Sequence, residues 1–269
     1  MRAFKQVDVF TEVPYRGNPV AVVLDGEGLS SDEMRRFAHW TNLSETTFVL
    51  PSERADYRVR IFTPVAELPF AGHPTLGTCH AWLEAGGEPA GEDVVQECEA
   101  GHVRVRREAG RLAFEAPPLI RSGPVDEADV QHAADVLRIP RAAIVEAQWA
   151  DNGPGWMAVL LESADAVLAL EPGFVDVDLG VVGPGGAEAW ELRAFFPKDG
   201  ATVEDPVTGS LNASVAGWLL ATGRATAPYV ASQGTALGRA GRVHVAQDDD
   251  GTIWVGGGTV TCVEGRVSL

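Results

Sequence analysis

Two stretches of this chain repeat each other, and that repeat constrains the fold more than any other feature. Glu67 to Gly87 reads ELPFAGHPTLGTCHAWLEAGG, and Glu204 to Gly223 reads EDPVTGSLNASVAGWLLATG. They align without a gap: Glu67 with Glu204, Pro69 with Pro206, Gly72 with Gly209, Leu83 with Leu220, Gly86 with Gly223. Upstream, Arg60-Ile61-Phe62-Thr63-Pro64 echoes Arg193-Ala194-Phe195-Phe196-Pro197. Each half therefore holds a strand, a proline-containing turn, a glycine and a helix. The chain is expected to form two similar domains related by a pseudo-twofold axis, with a cleft between them. Its 269 residues suit two domains. The Pro117-Pro118 pair marks the boundary, giving domains 1–117 and 118–269, with a return of the last strand to the first domain left open.

The elements read between these landmarks are short. Phe4 to Phe10, Pro19 to Leu24, Thr46 to Leu50, Tyr57 to Phe62 and Met157 to Leu161 carry strand patterns. Val103 to Val105 and Leu112 to Phe114 form a hairpin across Glu108-Ala109-Gly110, and strands follow at Val243 to Val245 and Ile253 to Val255. Ser30-Ser31-Asp32-Glu33 opens a helix whose apolar side carries Met34, Phe37, Ala38 and Trp40. Helices are also predicted over Pro74 to Ala85, Val125 to Leu137 and Leu211 to Ala221, the first and last closed by glycine. Strands outnumber helices and do not alternate with them regularly, which disfavours a doubly wound parallel sheet. The pattern suits an α+β fold class of mostly antiparallel sheets that wrap a few helices.

Charge narrows the partners. A formal net charge of -17 repels nucleic-acid backbones and anionic membrane surfaces. Local donors can still hold an anionic small molecule. Three cysteines without a Cys-x-x-Cys pair, and a charged N-terminus with no apolar run after it, point to a reducing cytoplasm.

The chemistry gathers at the repeat. Gly72 and Gly209 each precede a helix, where unpaired N–H groups and the helix dipole favour an anion. Two such sites across a cleft could hold a carboxylate or an enolate; two ordinary helix starts, with Ser210 as a cap, are the plainer alternative. The next residues are His73 and Ser210, and the dipole should disfavour the His73 imidazolium. His80 lies on the same helix face with no carboxylate at ligand spacing, so no metal is expected. Asp205 stands where the first repeat has Leu68, so the turn does not itself require a carboxylate. Glu45, at the mouth of an apolar strand, is either a surface carboxylate or a desolvated general base with a raised pKa. Cys79 reads as a core thiol. P-loop, dinucleotide-binding and nucleophile-elbow motifs are absent.

Asn42-Leu43-Ser44-Glu45-Thr46-Thr47-Phe48-Val49, Phe62-Thr63-Pro64 with ELPFAGHPTLG, and Glu204 to Asn212 resemble the signatures of the phenazine-biosynthesis PhzF-like isomerases. Arg16-Gly17-Asn18-Pro19, Asn152-Gly153-Pro154-Gly155-Trp156 and Ser232-Gln233-Gly234 are lesser echoes. The resemblance runs the length of the chain. It implies a diaminopimelate-epimerase-like fold, a homodimer, and a cofactor-free, metal-free proton shift on a small dihydro-hydroxyanthranilate-type carboxylic acid. It also implies Glu45, His73 and Asp205 as catalytic residues, with Gly72, Gly209 and Ser210 binding substrate. One departure is Gly238-Arg239-Ala240-Gly241, where the family often shows Gly-Arg-Pro-Ser. An epimerase on the same fold and a non-catalytic binding protein are the rival expectations.

Overall fold

A computed structural model describes residues 1–269. It divides into two compact units, Met1–Glu115 with Gly256–Leu269, and Ala116–Val255. In chain order, the first holds β1 (Arg2–Val9), β2 (Asn18–Val23), α1 (Ser31–Thr41), β3 (Glu45–Leu50), β4 (Tyr57–Phe62), β5 (Glu67–Leu68), α2 (Gly72–Glu84), β6 (Val94–Cys98), β7 (Gly101–Glu108) and β8 (Arg111–Glu115). The second holds β9 (Arg121–Pro124), α3 (Glu127–Leu137), β10 (Ile144–Asp151), β11 (Met157–Leu161), α4 (Ala164–Leu168), β12 (Leu179–Pro184), β13 (Trp190–Lys198), β14 (Ala201–Asp205), α5 (Gly209–Ala221), β15 (Tyr229–Gln233) and β16 (Gly241–Gln247). Then β17 (Ile253–Gly257) leads into β18 (Thr259–Val267), which pairs with β1.

The two units share one pairing scheme. In the first, β2 runs parallel to β3 and β4 parallel to β6, while β1–β2, β3–β4, β6–β7 and β7–β8 are antiparallel. In the second, β11 is parallel to β12 and β13 to β15, while β10–β11, β12–β13 and β15–β16 are antiparallel. A parallel pair needs a crossover connection, and each parallel link falls where a helix intervenes: α1, α2, α4 and α5. The outer strands also match, with β18 and β9 flanking β1 and β10.

The repeat extends to side chains. Phe62 faces Glu67 across β4–β5, as Phe195 faces Glu204 across β13–β14. Arg60 grips Glu67 through Nε and Nη2 at 2.7 and 2.6 Å, and Arg193 grips Glu204 the same way at 3.0 and 2.7 Å. Each guanidinium also lies over the next same-face aromatic, Phe62 at 5.0 Å and Phe195 at 4.9 Å.

Both central helices, α2 and α5, run thirteen residues and bury nearly every side of their first three turns. A helix apolar all round has to sit inside its sheet rather than on it. In β4, alternation sends Tyr57 against Trp82 of α2, ring centroids 5.1 Å apart, while Phe62 packs with Phe48, Phe37 and Met34 on the α1 side. Gly77 shows how tightly α2 fits. A Cβ there would lie 2.3 Å from Val20 Cγ1 and 3.0 Å from Val9 Cγ2, both on fully buried, χ1-stiff valines. Gly77→Ala gains about 1 kcal/mol of helix propensity but overpacks the core by about 1–3 kcal/mol. A net destabilisation is expected in urea unfolding, in contrast to the usual effect of Gly→Ala within a helix.

α1 begins with a complete capping box, Ser30 Oγ accepting from Glu33 N while the Glu33 carboxylate accepts from Ser30 N, and ends on Asn42 in the left-handed conformation. Met34, Phe37 and Ala38 are buried, but Trp40, expected on the same side, is 78% exposed. It lies at the edge of the stripe and stacks on Phe37 from outside, centroids 6.1 Å apart. No helix is long and apolar enough to cross a membrane.

Candidate functional site

In the first unit, Glu45 opens β3 beside Val20 of parallel β2, and His73 is the second residue of α2. Glu45 Oε2 stands 3.3 Å from His73 Nε2, with side chains 15% and 7% exposed. The connection from β1 closes over the ring: Asn18's side-chain amide is 3.4 Å from Nδ1, and the backbone of Pro19 takes a hydrogen bond from the imidazole. Proline has no N–H, so the ring must donate and the Pro19 carbonyl accept. Nε2 faces Glu45 Oε2 with no other hydrogen-bond partner in the protein, and the tautomer sets the direction between them: an ionised Glu45 accepts from Nε2–H, whereas a protonated Glu45 donates to a bare Nε2.

Burial lowers the His73 pKa to about 3, against a smaller upward push from the Pro19 carbonyl. The imidazole is therefore neutral, as expected, but desolvation rather than the helix dipole is the leading cause. A neutral Nε2 beside a carboxyl can accept a hydrogen bond whenever Glu45 carries a proton, so the pair can hold a proton in transit. The linkage has a definite sign. The folded value lies below the ordinary 6.5, so unfolding takes up a proton below that pH. This contribution to stability is intact above pH 6.5 and falls away as the pH drops toward 3. His73→Gln should flatten the stability–pH curve between about pH 6.5 and 4 by up to one proton, measured by urea unfolding at a series of pH values.

In the second unit, Asp205 closes β14 and its Oδ2 accepts from Thr208 Oγ1 at 2.6 Å. Thr208, not Ser210, is the N-cap of α5, because Gly209 is the first helical residue. Ser210, a cap in the plainer of the two sequence readings, is inside the helix. Its Oγ accepts from Trp156 Nε1 at 3.0 Å, and its carbonyl from Asn152 Nδ2 at 3.0 Å and Ser214 Oγ at 2.9 Å. The buried Gln233 organises the rest. Its Oε1 accepts from Thr208 N and Asn212 Nδ2, and its Nε2 donates to Thr208 Oγ1 and the Asp205 carbonyl. All four hydrogen-bonding sites of the amide are used. Gln96 supports the first unit comparably, donating to Thr75 Oγ1 of α2 and accepting from the Tyr57 hydroxyl.

The structure thus gathers Glu45, Gly72 and His73 in one unit and Asp205, Gly209 and Ser210 in the other. Neither central helix is capped by its N-cap side chain. The sequence does not single out Gln233, Asn152 or Trp156, which lie in the lesser motifs, nor Thr208, a polar residue inside the Glu204–Asn212 signature. His80 does have a nearby carboxylate, against expectation: Glu84, one turn on, is 3.2 Å from Nε2, and Thr259 and Thr261 bond the same ring. No group of three or more His, Cys, Asp or Glu is placed to hold a metal ion. Cys79 is fully buried, and burial pushes its thiol up to about 12, so it is an inert core residue.

In this twofold-repeated α+β chain a carboxylate lies against a neutral, buried imidazole. Comparison with known proteins gives the family. Residues 7–265 match the family model of phenazine biosynthesis-like proteins. The chain is 35% identical to antisense-enhancing sequence 1 of Schizosaccharomyces pombe, over 98% of both proteins. It is 34% identical to trans-2,3-dihydro-3-hydroxyanthranilate isomerase of Pseudomonas aeruginosa, over 100% of both. A PhzF-family crystal structure from Bacillus anthracis superposes with a TM-score of 0.85 at 24% identity, covering 100% of this chain and 99% of that one. The chain belongs to the phenazine biosynthesis-like, or PhzC–PhzF, family, and it is an isomerase of the PhzF type.

Proposed function

We propose that this isomerase moves a proton between carbons of a small unsaturated carboxylic acid of the dihydro-hydroxyanthranilate class, with Glu45 as the general acid/base. The observation that carries this reading is the 3.3 Å approach of Glu45 to a buried imidazole held neutral. Glu45 removes a proton from an sp³ carbon activated by the conjugated system. The C–H electron pair enters that system and shifts the double bond, so negative charge spreads toward the substrate carboxyl. Glu45, now protonated, exchanges with solvent and returns that proton or an equivalent one to a carbon farther along, and no proton or electron is gained or lost overall. His73 Nε2 accepts the Glu45 proton in a hydrogen bond between the two steps. Asp205 and Ser210 bind the substrate's polar groups, and N–H groups at Gly72 and Gly209 stabilise the developing oxyanion. The protein works without cofactor, as a cytoplasmic homodimer.

The test is wild-type enzyme with trans-2,3-dihydro-3-hydroxyanthranilate in deuterium oxide, followed by mass spectrometry and NMR. Migration of the double bond with deuterium at the new sp³ carbon is expected. Deuterium only at the original stereocentre, with inversion, replaces the reading with an epimerase. No exchange with this or related unsaturated acids removes it.

A further inference from the structure

We infer that Trp156 is the positioning residue of Ser210: the indole N–H occupies an acceptor lone pair of the serine hydroxyl and so commits its proton to the substrate. The inference rests on the reading of Ser210 as a substrate-binding residue given above.

The motif Asn152-Gly153-Pro154-Gly155-Trp156 connects β10 to β11, and the reaction as described leaves it without a role. Its geometry is over-determined. Asp151 Oδ1 accepts from both Gly153 N at 2.7 Å and Gly155 N at 2.8 Å, and Ala150 N donates to the Trp156 carbonyl at 2.9 Å. Gly153 and Gly155 have φ of +145° and +95°, conformations that a side chain rarely tolerates. This rigid turn delivers two side chains to one residue. Asn152 donates to the Ser210 carbonyl, and Trp156, only 4% exposed, donates to its Oγ.

An indole N–H can only donate, so Ser210 Oγ must accept from it. A serine at a helix start otherwise samples several rotamers and rotates its O–H freely. Here the rotamer is fixed by a buried ring, and the hydroxyl proton is turned away from that ring. Preorganising a donor in this way removes an ordering cost that binding must otherwise meet. The first unit repeats the device. Its corresponding connection, between β1 and β2, ends at Asn18 and Pro19 against the imidazole of His73, the aligned residue of α2. In each repeat, the equivalent link, β1–β2 in one unit and β10–β11 in the other, is spent on the second residue of the central helix.

The experiment compares wild type, Trp156→Phe, Ser210→Ala, Ser210→Thr and the Phe/Ala double variant. Trp156→Phe keeps an aromatic ring and removes the N–H. With trans-2,3-dihydro-3-hydroxyanthranilate, it should lower kcat/KM about three- to tenfold, mainly through KM, and add nothing to the loss caused by Ser210→Ala. Ser210→Thr, which keeps Oγ, should retain the coupling. In ¹H–¹⁵N spectra, the Trp156 indole proton should move upfield and exchange faster in Ser210→Ala. Additive kinetic losses, or an indole signal indifferent to Ser210→Ala, overturn the inference. Impairment in Ser210→Ala but not in Trp156→Phe overturns it while leaving the substrate reading in place. If wild type does not turn over this acid, the substrate reading fails, and titration with benzoate decides the rest. A benzoate-induced indole shift that Ser210→Ala abolishes upholds the positioning role; no shift in wild type overturns it.

Discussion

Glu45→Gln is expected to lower deuterium exchange at the substrate carbon by about 10²–10⁴-fold, the usual contribution of a positioned general acid/base, while leaving the fold intact. Gln matches Glu in shape, and its amide can donate to His73 Nε2, which has no other hydrogen-bond partner in the protein. Stability should therefore change by less than about 1 kcal/mol, since Gln keeps the side-chain volume and offers His73 a hydrogen bond. Glu45→Asp keeps the carboxylate but withdraws it by about one methylene. A misplacement of about 1 Å alone can cost roughly 10²-fold, so this variant should fall between wild type and Glu45→Gln. Exchange is measured by mass spectrometry and folding by thermal melts of the same samples. Equal exchange in wild type and Glu45→Gln sinks the assignment of the base. Loss of exchange together with a collapsed melt counts only against the fold, and Glu45→Asp then decides.

Local and repeated features of this chain were legible in its sequence. The helices announce themselves through Ser30 and Glu33 at one start and Gly86 and Gly223 at two ends, because caps and left-handed stops act within a turn of the residue that signals them. The repeat is legible because both copies kept the proline, the glycine and the helix stop. Pairings distant in sequence are another matter. Ile144–Asp151 and Leu179–Pro184 form full strands without a clean alternating pattern, since neighbouring strands and helices bury both faces in part. The pairing of β18 with β1 joins Arg2 to Val267 across a register shift that no local pattern encodes. At the candidate site, Asp205 stood out as a carboxylate that its turn does not require, whereas Glu45 was marked by the family resemblance alone. The four-way hold of Gln233 did not, because it depends on groups brought from β14, α5 and β15 at once. The burial of His73 is of the same kind: it comes from the chain folded over it, not from its place on the helix.

The duplicated Arg–Glu grip gives the largest stability effect, and its two copies make the prediction discriminating. Arg193 and Glu204 have side chains only 7% and 11% exposed, whereas Arg60 and Glu67 are 20% and 27% exposed. Arg193 also donates through Nη1 to the carbonyls of Val167, at 3.2 Å, and Leu170, at 2.8 Å, so it satisfies the end of α4 as well as a carboxylate. Arg193→Met fills similar volume but leaves Glu204 without its counter-ion and both carbonyls without that donor. Breaking a buried pair from one side costs about 3–5 kcal/mol, on the order of 10 °C in Tm for a domain of this size. Arg60→Met leaves Glu67 able to reach water, and it should lose about 1–2 kcal/mol, nearer the exposed-pair range. The double change Arg193→Met with Glu204→Leu should recover most of the first loss, because the desolvation of both charges disappears with their attraction. Urea unfolding of the four proteins measures all three differences. Equal losses at Arg193 and Arg60 would mean that burial does not set the strength of the grip. A double variant no better than Arg193→Met would mean that the carbonyls of α4, rather than the stranded carboxylate, carry the cost.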